Sequence, residues 1–348
     1  MIKNEIAESP RLLFLGAGAS KPLGKMLMGE FVEYLMKQTS NEPYAELIRV
    51  ICRENQDLEF LIEQLEEISS KRYFGNVHTF RRGDGETFSF PAMSSEVAKL
   101  AALADGALQW VKREVYHHYR NLDPQARIGL LDGIVDRMRT APGCSVVFTT
   151  NYDPSIETLC RNKRWRLVDG FEHDALLQQY SWNRNVFDTF RSTAEPTTVL
   201  FKIHGSTNWI SDSGRLVKSV SIHATEAEDG FQNAMIYPAT KKVAILEPYF
   251  TCYDYLGKCL SHAEFCLVIG YSFRDYDVLV RFRAAAISNE KLRVAILDPS
   301  AQKLCDKISQ YGINASPIIA SLGDKPDAYE TAINKVLNSR TRKRRRRI

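Results

Sequence analysis

Five places in the chain set polar or glycine residues directly behind a short apolar run. VVFTT (146–150) is followed by Asn151, Tyr152 and Asp153: an amide, a phenol and a carboxylate in succession. VLFKI (199–203) is followed by His204, Gly205 and Ser206. RLLFL (11–15) gives way to GAGAS (16–20), FCLVI (265–269) to Gly270, Tyr271 and Ser272, and LRVAIL (292–297) to Asp298. His204 stands at a strand end, and the glycine beside it leaves room for a ligand. Gly16 and Gly18 permit a tight turn and a close backbone approach. A helix starting behind them offers free N–H groups and a positive dipole end to a phosphate.

Each of these has a plain structural alternative. A glycine turn can join strand to helix with no ligand, and GAGAS lacks the full G-x-G-x-x-G spacing because position 21 is Lys21. Asp153 and Asn151 both suit the cap of a helix starting near Pro154, Asp153 the more so because Asn151 precedes the cap position. Asp298 equally suits the cap of a helix behind Pro299. The other six histidines are set aside as packed or surface residues. Convergence favours the chemical reading, because the carboxyl ends of parallel strands share one edge and ligands bind there.

The elements that position these residues follow from the apolar pattern. Runs at 11–15, 145–150, 199–203, 243–246, 265–270 and 292–297 read as strands buried on both faces of a parallel sheet. Helical spacing follows at about 23–37, 154–162, 275–287 and 300–310. The alternation predicts an α/β domain over 9–330 with a Rossmann-like, doubly wound parallel sheet. Residues 41–142, which include EFLIEQLEEI and VAKLAALADGALQWVKREVYHHY, read as a helical insertion. Within it 72–91 reads as a loop, and 211–235 as a second loop or hairpin region.

Composition narrows the class. Of 348 residues 44% are hydrophobic and 25% charged, ordinary for a soluble globular protein. No apolar stretch approaches the ~18 residues needed to span a bilayer, and the amino terminus lacks a secretory pattern, so the expected location is cytoplasmic with no membrane partner. Seven scattered cysteines with no C-x-x-C pair argue against a disulfide framework and a structural zinc. Arg340, Arg342, Lys343 and Arg344 to Arg347 place seven positive charges in the last nine residues. Taking those seven from a net charge of +4 leaves −3 over the first 339. Residues 338–348 therefore read as a disordered basic tail suited to nucleic acid or an acidic protein surface.

Taken together, a GAG-S turn, a T-x-N-x-D strand end, a later strand closing in H-G and a G-x-S behind the next long strand resemble the sirtuin-like domain. With GYSFRDYD (270–277) and LEPYF (246–250), the chain is similar to bacterial sirtuin-like NAD hydrolases of antiphage defence over roughly residues 10–310. The resemblance implies that Gly16, Ala17, Gly18 and Ser20 meet the pyrophosphate of NAD. It implies that Asn151 orients the nicotinamide ribose and the attacking water, that Asp153 lies near the carboxamide, and that His204 is the general base. Gly270 and Ser272 would line the phosphate and ribose, and Asp298 the adenosine. NAD is then the substrate, cleaved to ADP-ribose and nicotinamide without a metal.

Two departures from classical sirtuin deacylases bear on the reaction. Their two C-x-x-C pairs, which build a zinc module, are absent, and KPLGKMLMGEF (21–31) stands where they carry a G-I-P-D-F-R-like segment. Peptide deacylation is therefore not expected. The alternatives are a deacylase or ADP-ribosyl transferase using the same pocket, and a noncatalytic nucleotide-binding module; carrying both Asn151 and His204 counts against the module. An enzyme that depletes NAD needs control, so the resemblance implies a homo-oligomer or a regulating partner, of which a HerA-type ATPase and DNA translocase is one candidate.

Overall fold

A computed structural model describes residues 4–74, 79–81, 87–89, 95–123, 127–141, 143–176, 179–212, 215–218, 233–235 and 247–338. Seven strands, numbered here in chain order, form the main sheet: β1 (Arg11–Leu15), β2 (Cys144–Thr149), β3 (Arg166–Val168), β4 (Thr197–Lys202), β5 (Phe265–Ile269), β6 (Arg293–Leu297) and β7 (Ala315–Ile318). Their order across the sheet is β7-β6-β5-β1-β2-β4-β3, and every neighbouring pair is parallel.

Side chains of a strand alternate between faces, and here both faces are buried, which is why these runs are predominantly apolar. Leu12, Phe14, Val146, Phe148, Val199, Phe201, Cys266, Val268, Val294 and Ile296 pack with residues of the helices Tyr249–His262, Tyr276–Ser288 and Ala301–Ser309. The intervening Leu13, Leu15, Val147, Leu200, Leu267, Ile269, Ala295 and Leu297 pack with the helices Gly129–Arg137, Ser155–Lys163 and Asp327–Asn338. Helices on both faces of a parallel sheet are the doubly wound α/β architecture that the alternation predicted.

The register sets the site. Leu297, Ile269, Leu15, Thr149 and Lys202 are Cα partners in one continuous row across five strands. Every candidate residue at a strand end therefore lies at a fixed offset from one line. Gly16, Gly270 and Asp298 come one residue beyond it, and Asn151 and His204 two residues beyond it on adjacent strands.

Strands β1, β2, β4, β5 and β6 and the helices after β2, β5 and β6 match the expected ones to within about two residues, the ordinary uncertainty of an element boundary, whereas β3 and β7 were not expected. The helix expected at 23–37 is Met28–Gln38, preceded by the short helical turns Ala17–Ser20 and Lys21–Leu23. Residues 72–91 are not all loop: Thr79–Arg81 and Thr87–Ser89 pair as an antiparallel hairpin. The 211–235 region does contribute a hairpin, between Gly205–Asp212 and Arg215–Lys218, within a five-stranded antiparallel sheet that also takes Phe171–Asp174, Gln179–Trp182 and Asn233–Met235. The strand expected at 243–246 and the tail beyond residue 338 lie outside the described residues.

Two compact units result. The main sheet and the antiparallel sheet belong to one, and Met26–His118 form the body of the other. The second holds the helices Met28–Gln38, Ala45–Glu54 and Leu58–Phe74 and nearly all of Ser95–Arg120. Phe31, Val32, Leu35, Ile48, Leu61, Leu65, Ala104 and Val111 are buried there. Lys112 pairs with Glu66 at 3.0 Å, and His118 Nε2 accepts the Met26 N–H at 3.0 Å.

Candidate active site

The chain runs from β1 to β2 on one side and returns to β5 on the other, so β1 and β5 flank the point where the winding reverses. Crevices at such points are the usual ligand sites of open α/β sheets. The turn behind β1 is seated on the turn behind β5. Gly16 N–H donates to Ile269 O and Gly18 N–H to Gly270 O, each at 2.9 Å. A Cβ on Gly16 would fall 2.6 Å from Gly270 O, and one on Gly18 2.7 Å from Gly270 Cα. Gly270 itself has φ +61°, and a Cβ there would meet the backbone of Gly18 and Ala19 at 2.5 Å. All three glycines are thus required by the contact of two backbones, whether or not a phosphate also lies there.

On the neighbouring strand, Asn151 is held by what GAGAS supplies. Its Nδ2 donates to Gly16 O and to Ser20 Oγ, both at 2.8 Å. Gly16 O can only accept, so the nitrogen faces it and the amide oxygen is the group left to meet a ligand. Ser20 Oγ donates onward to Asp153 Oδ2 at 2.6 Å, and Asp153 Oδ1 accepts the Ser155 N–H at 3.0 Å at the start of the helix Ser155–Lys163. Thr149 Oγ1 accepts the Asn151 N–H and donates to Leu15 O. Ser20, Asn151 and Asp153 therefore form one buried hydrogen-bonded chain, in which Ser20 and Asp153 fix the rotamer of Asn151. Asp153 also performs the helix-start role that the sequence left open.

His204 sits behind β4 in a turn that Gly205, at φ +82°, allows before the strand Gly205–Asp212 begins. Its Nε2 is 2.7 Å from Asp275 Oδ2, and the two side chains are 9% and 5% exposed. Asp275 also accepts from Tyr253 Oη at 3.2 Å on Oδ2 and, on Oδ1, from the N–H groups of Asp277 and Val278 that open the helix Tyr276–Ser288. A carboxylate already receiving three donors is an acceptor to His204. It holds the Nε2–H tautomer and leaves Nδ1 as the basic nitrogen. Tyr253 is fully buried, and burial followed by the Asp275 charge pushes its phenol well above the usual tyrosine range, so it stays a donor.

The remaining expected residues are placed differently. Ala17 is half-buried in the turn behind β1. Ser272 is exposed, and its carbonyl accepts from Lys307 Nζ at 3.2 Å. The next residue, Phe273, is buried in the left-handed region at φ +53°. Asp298 Oδ1 accepts the Ser300 N–H at 2.7 Å in the turn ahead of the helix Ala301–Ser309, whose N-cap is Ser300. Lys25 is buried beyond GAGAS with its Nζ on Asn121 O, and burial pushes its ammonium pKa down against the pull of Asp153 and Asp123. All seven cysteines are buried free thiols. Burial raises those of Cys52 and Cys160 to about 11 and that of Cys144 to about 12.

Asp275 and Tyr253 are the residues that sequence reading missed. Asp275 had a legible signal, an aspartate immediately before an apolar helical run, which marks a cap. That it also reaches His204, seventy-one positions away, is a fact of the fold. Tyr253 had no such signal.

Among the described residues no group of three His, Cys, Asp or Glu side chains is placed to hold a metal ion, and no helix is long and apolar enough to cross a membrane. No curated protein matches the chain. Solved structures similar to it include a Sir2 homologue in complex with NAD, at 11% identity, 95% of this chain, 91% of that one and a TM-score of 0.45. They also include a mutant Sir2 homologue bound to 2'-O-acetyl ADP-ribose, at 13% identity, 97% of both chains and a TM-score of 0.40. Values this low leave the functional reading to the residues of the site. The family described as SIR2-like domain matches residues 145–315, a stretch that holds Asn151, Asp153, His204, Gly270, Ser272, Asp275 and Asp298 and stops short of the GAGAS turn.

Proposed function

We propose that this chain is an NAD glycohydrolase, releasing nicotinamide and ADP-ribose from NAD and water. The observation that carries the reading is the pairing of a histidine base, oriented by a buried carboxylate, with an asparagine amide at the same height on the adjacent strand. The residues fit a dinucleotide. The packed turns of Gly16, Gly18 and Gly270 put main chain at the switch point, and Asn151 is bonded to that turn through Gly16 O.

Breaking the bond between a cationic nicotinamide and ribose sends the electron pair to the departing ring, which leaves neutral. The sugar carbon then needs stabilisation as an oxocarbenium-like centre more than the leaving group needs an acid. Asn151 orients ribose and water, His204 Nδ1 takes a proton from the hydroxyl or water so aligned, and Asp275 stabilises the imidazolium that forms. A role in antiphage defence by NAD depletion, with activity governed by self-association or by a partner ATPase, extends the proposal and rests on the sequence resemblance.

The test is nicotinamide release from NAD by the purified full chain, with His204→Ala as control. Release that His204→Ala abolishes supports the reading. Release that survives in a folded His204→Ala protein overturns it, as does NAD-dependent deacetylation of acetylated peptides at enzyme-like rates.

A further inference from the structure

The catalytic pair proposed above rides on two separate turns, and one buried lysine ties those turns together. Lys202, the last residue of β4, is 2% exposed although it carries an ammonium group. Its Nζ donates to Asp153 O at 2.7 Å, to Glu157 Oε1 at 3.0 Å and to Tyr152 O at 3.2 Å, so all three of its N–H groups are used. Two of the three acceptors are backbone carbonyls of the residues directly after Asn151.

The turn around His204 grips the same carbonyl from its other end. Thr207 N–H reaches Tyr152 O at 3.2 Å, and the Ser206 and Thr207 hydroxyls reach it at 3.3 Å. The segment 202–207, with His204 at its centre, is therefore bonded at both ends to the segment 152–153.

Stability alone does not account for this arrangement. A buried ion pair usually contributes little relative to a well-packed apolar pair of the same volume, because desolvation offsets the attraction. Glu157 adds to the cost, since its Oε2 is buried and accepts no hydrogen bond among the described residues. What the charge does provide is three directed donors at the point where two catalytic turns meet. We infer that Lys202 is a positioning residue that sets Asn151 and His204 at working distance, with Glu157 as its counter-ion; this rests on the proposed reaction at the same site.

The experiment uses the full chain carrying Lys202→Met with Glu157→Gln, which removes the donors without leaving a buried charge. Three quantities are read: turnover of NAD, affinity for ADP-ribose, and backbone hydrogen exchange over 150–153 and 203–207. Expected are a kcat lower by on the order of a hundredfold, as for a small misplacement of reacting groups, unchanged ADP-ribose affinity, and faster exchange confined to those two segments. Turnover equal to wild type overturns the inference, as does a parallel loss of turnover and ADP-ribose affinity. If the double variant does not fold, Ser206→Ala with Thr207→Val keeps the ion pair, removes both hydroxyl donors to Tyr152 O and gives the same pattern at smaller size. If the wild-type chain itself releases no nicotinamide, the glycohydrolase reading fails separately. Exchange then decides the clamp, faster exchange in the two segments supporting it and unchanged exchange overturning it.

Discussion

The two halves of the strand-end edge are built from different physics. Behind β1 and β5 the turns meet backbone to backbone, with glycines where any Cβ would collide within 2.5 to 2.7 Å of main-chain atoms. The turns behind β2 and β4 are instead held through side chains that reach across to the first half: Asn151 and Asp153 to Ser20, and His204 to Asp275, which Tyr253 also meets. Steric fit governs the first half and polar orientation the second. Substitution should therefore break folding on one side and chemistry on the other.

The largest effect is expected at Gly270. Alanine there must adopt φ near +61° and place its methyl group against the backbone of Gly18 and Ala19, which no rotamer change can relieve. Gly270→Ala should cost about 4 kcal/mol or more, the range reserved for such backbone collisions. The check is a thermal melt, expected to show a greatly lowered Tm or no cooperative transition. A melt like that of wild type would mean that the two halves do not differ as described.

Next comes the opposite pattern. Asn151→Ala and His204→Ala remove polar atoms from a scaffold whose strands stay intact, so each should fold while losing roughly a thousandfold in nicotinamide release. Because the histidine can only accept a proton from what the asparagine has aligned, the double variant should be scarcely slower than either single one. Additive losses would separate the two residues and break the polar half into independent parts.

How much of this division was readable beforehand depends on distance along the chain. The nearly continuous apolar runs disclosed the parallel sheet, because burial on both faces leaves few polar positions within a strand. They also located Asn151, His204, Gly16 and Gly270 at strand ends. The small edge strands β3 and β7 were not legible: Arg166–Val168 and Ala315–Ile318 are three and four residues long, with too few apolar positions to give a pattern. The hairpin at 79–89 hid in polar residues for the same reason. Within the site, residue types announced candidates but not roles. Ser20 and Asp153 were expected to meet the ligand, and their hydrogen bond to each other, with Asn151 on Ser20, could not be read from the residue types. Asp275 was visible as a cap and invisible as the partner of His204, since nothing local to either residue encodes their contact.

Asp275→Asn sharpens the comparison by separating those two roles. Asparagine caps a helix as well as aspartate, so the start of the helix Tyr276–Ser288 and the Tm should change little. With its oxygen kept on the Asp277 and Val278 N–H groups, the new amide nitrogen faces His204 and cannot accept from Nε2–H, so the ring must change tautomer. Nicotinamide release should fall about a hundredfold, less than on deleting the imidazole. A fall in Tm matching the fall in rate would assign Asp275 to structure alone.

The smallest effect is expected one bond further out, at Tyr253. Tyr253→Phe deletes the phenol that donates to Asp275 Oδ2 at 3.2 Å and leaves the ring packed as before. A lost hydrogen bond of this kind is worth about 1 kcal/mol, so turnover should change by only about fivefold. The direction of the pH dependence is the informative part. With one donor fewer, the Asp275 carboxylate holds its negative charge less comfortably and draws more strongly on the His204 Nε2–H, which favours the protonated imidazole. Because the reaction needs the neutral ring, the acid limb of the pH–rate profile should move to higher pH while the melt stays close to wild type. A pH–rate profile with its acid limb unmoved, or moved to lower pH, would remove Tyr253 from the polar half and leave it as core packing.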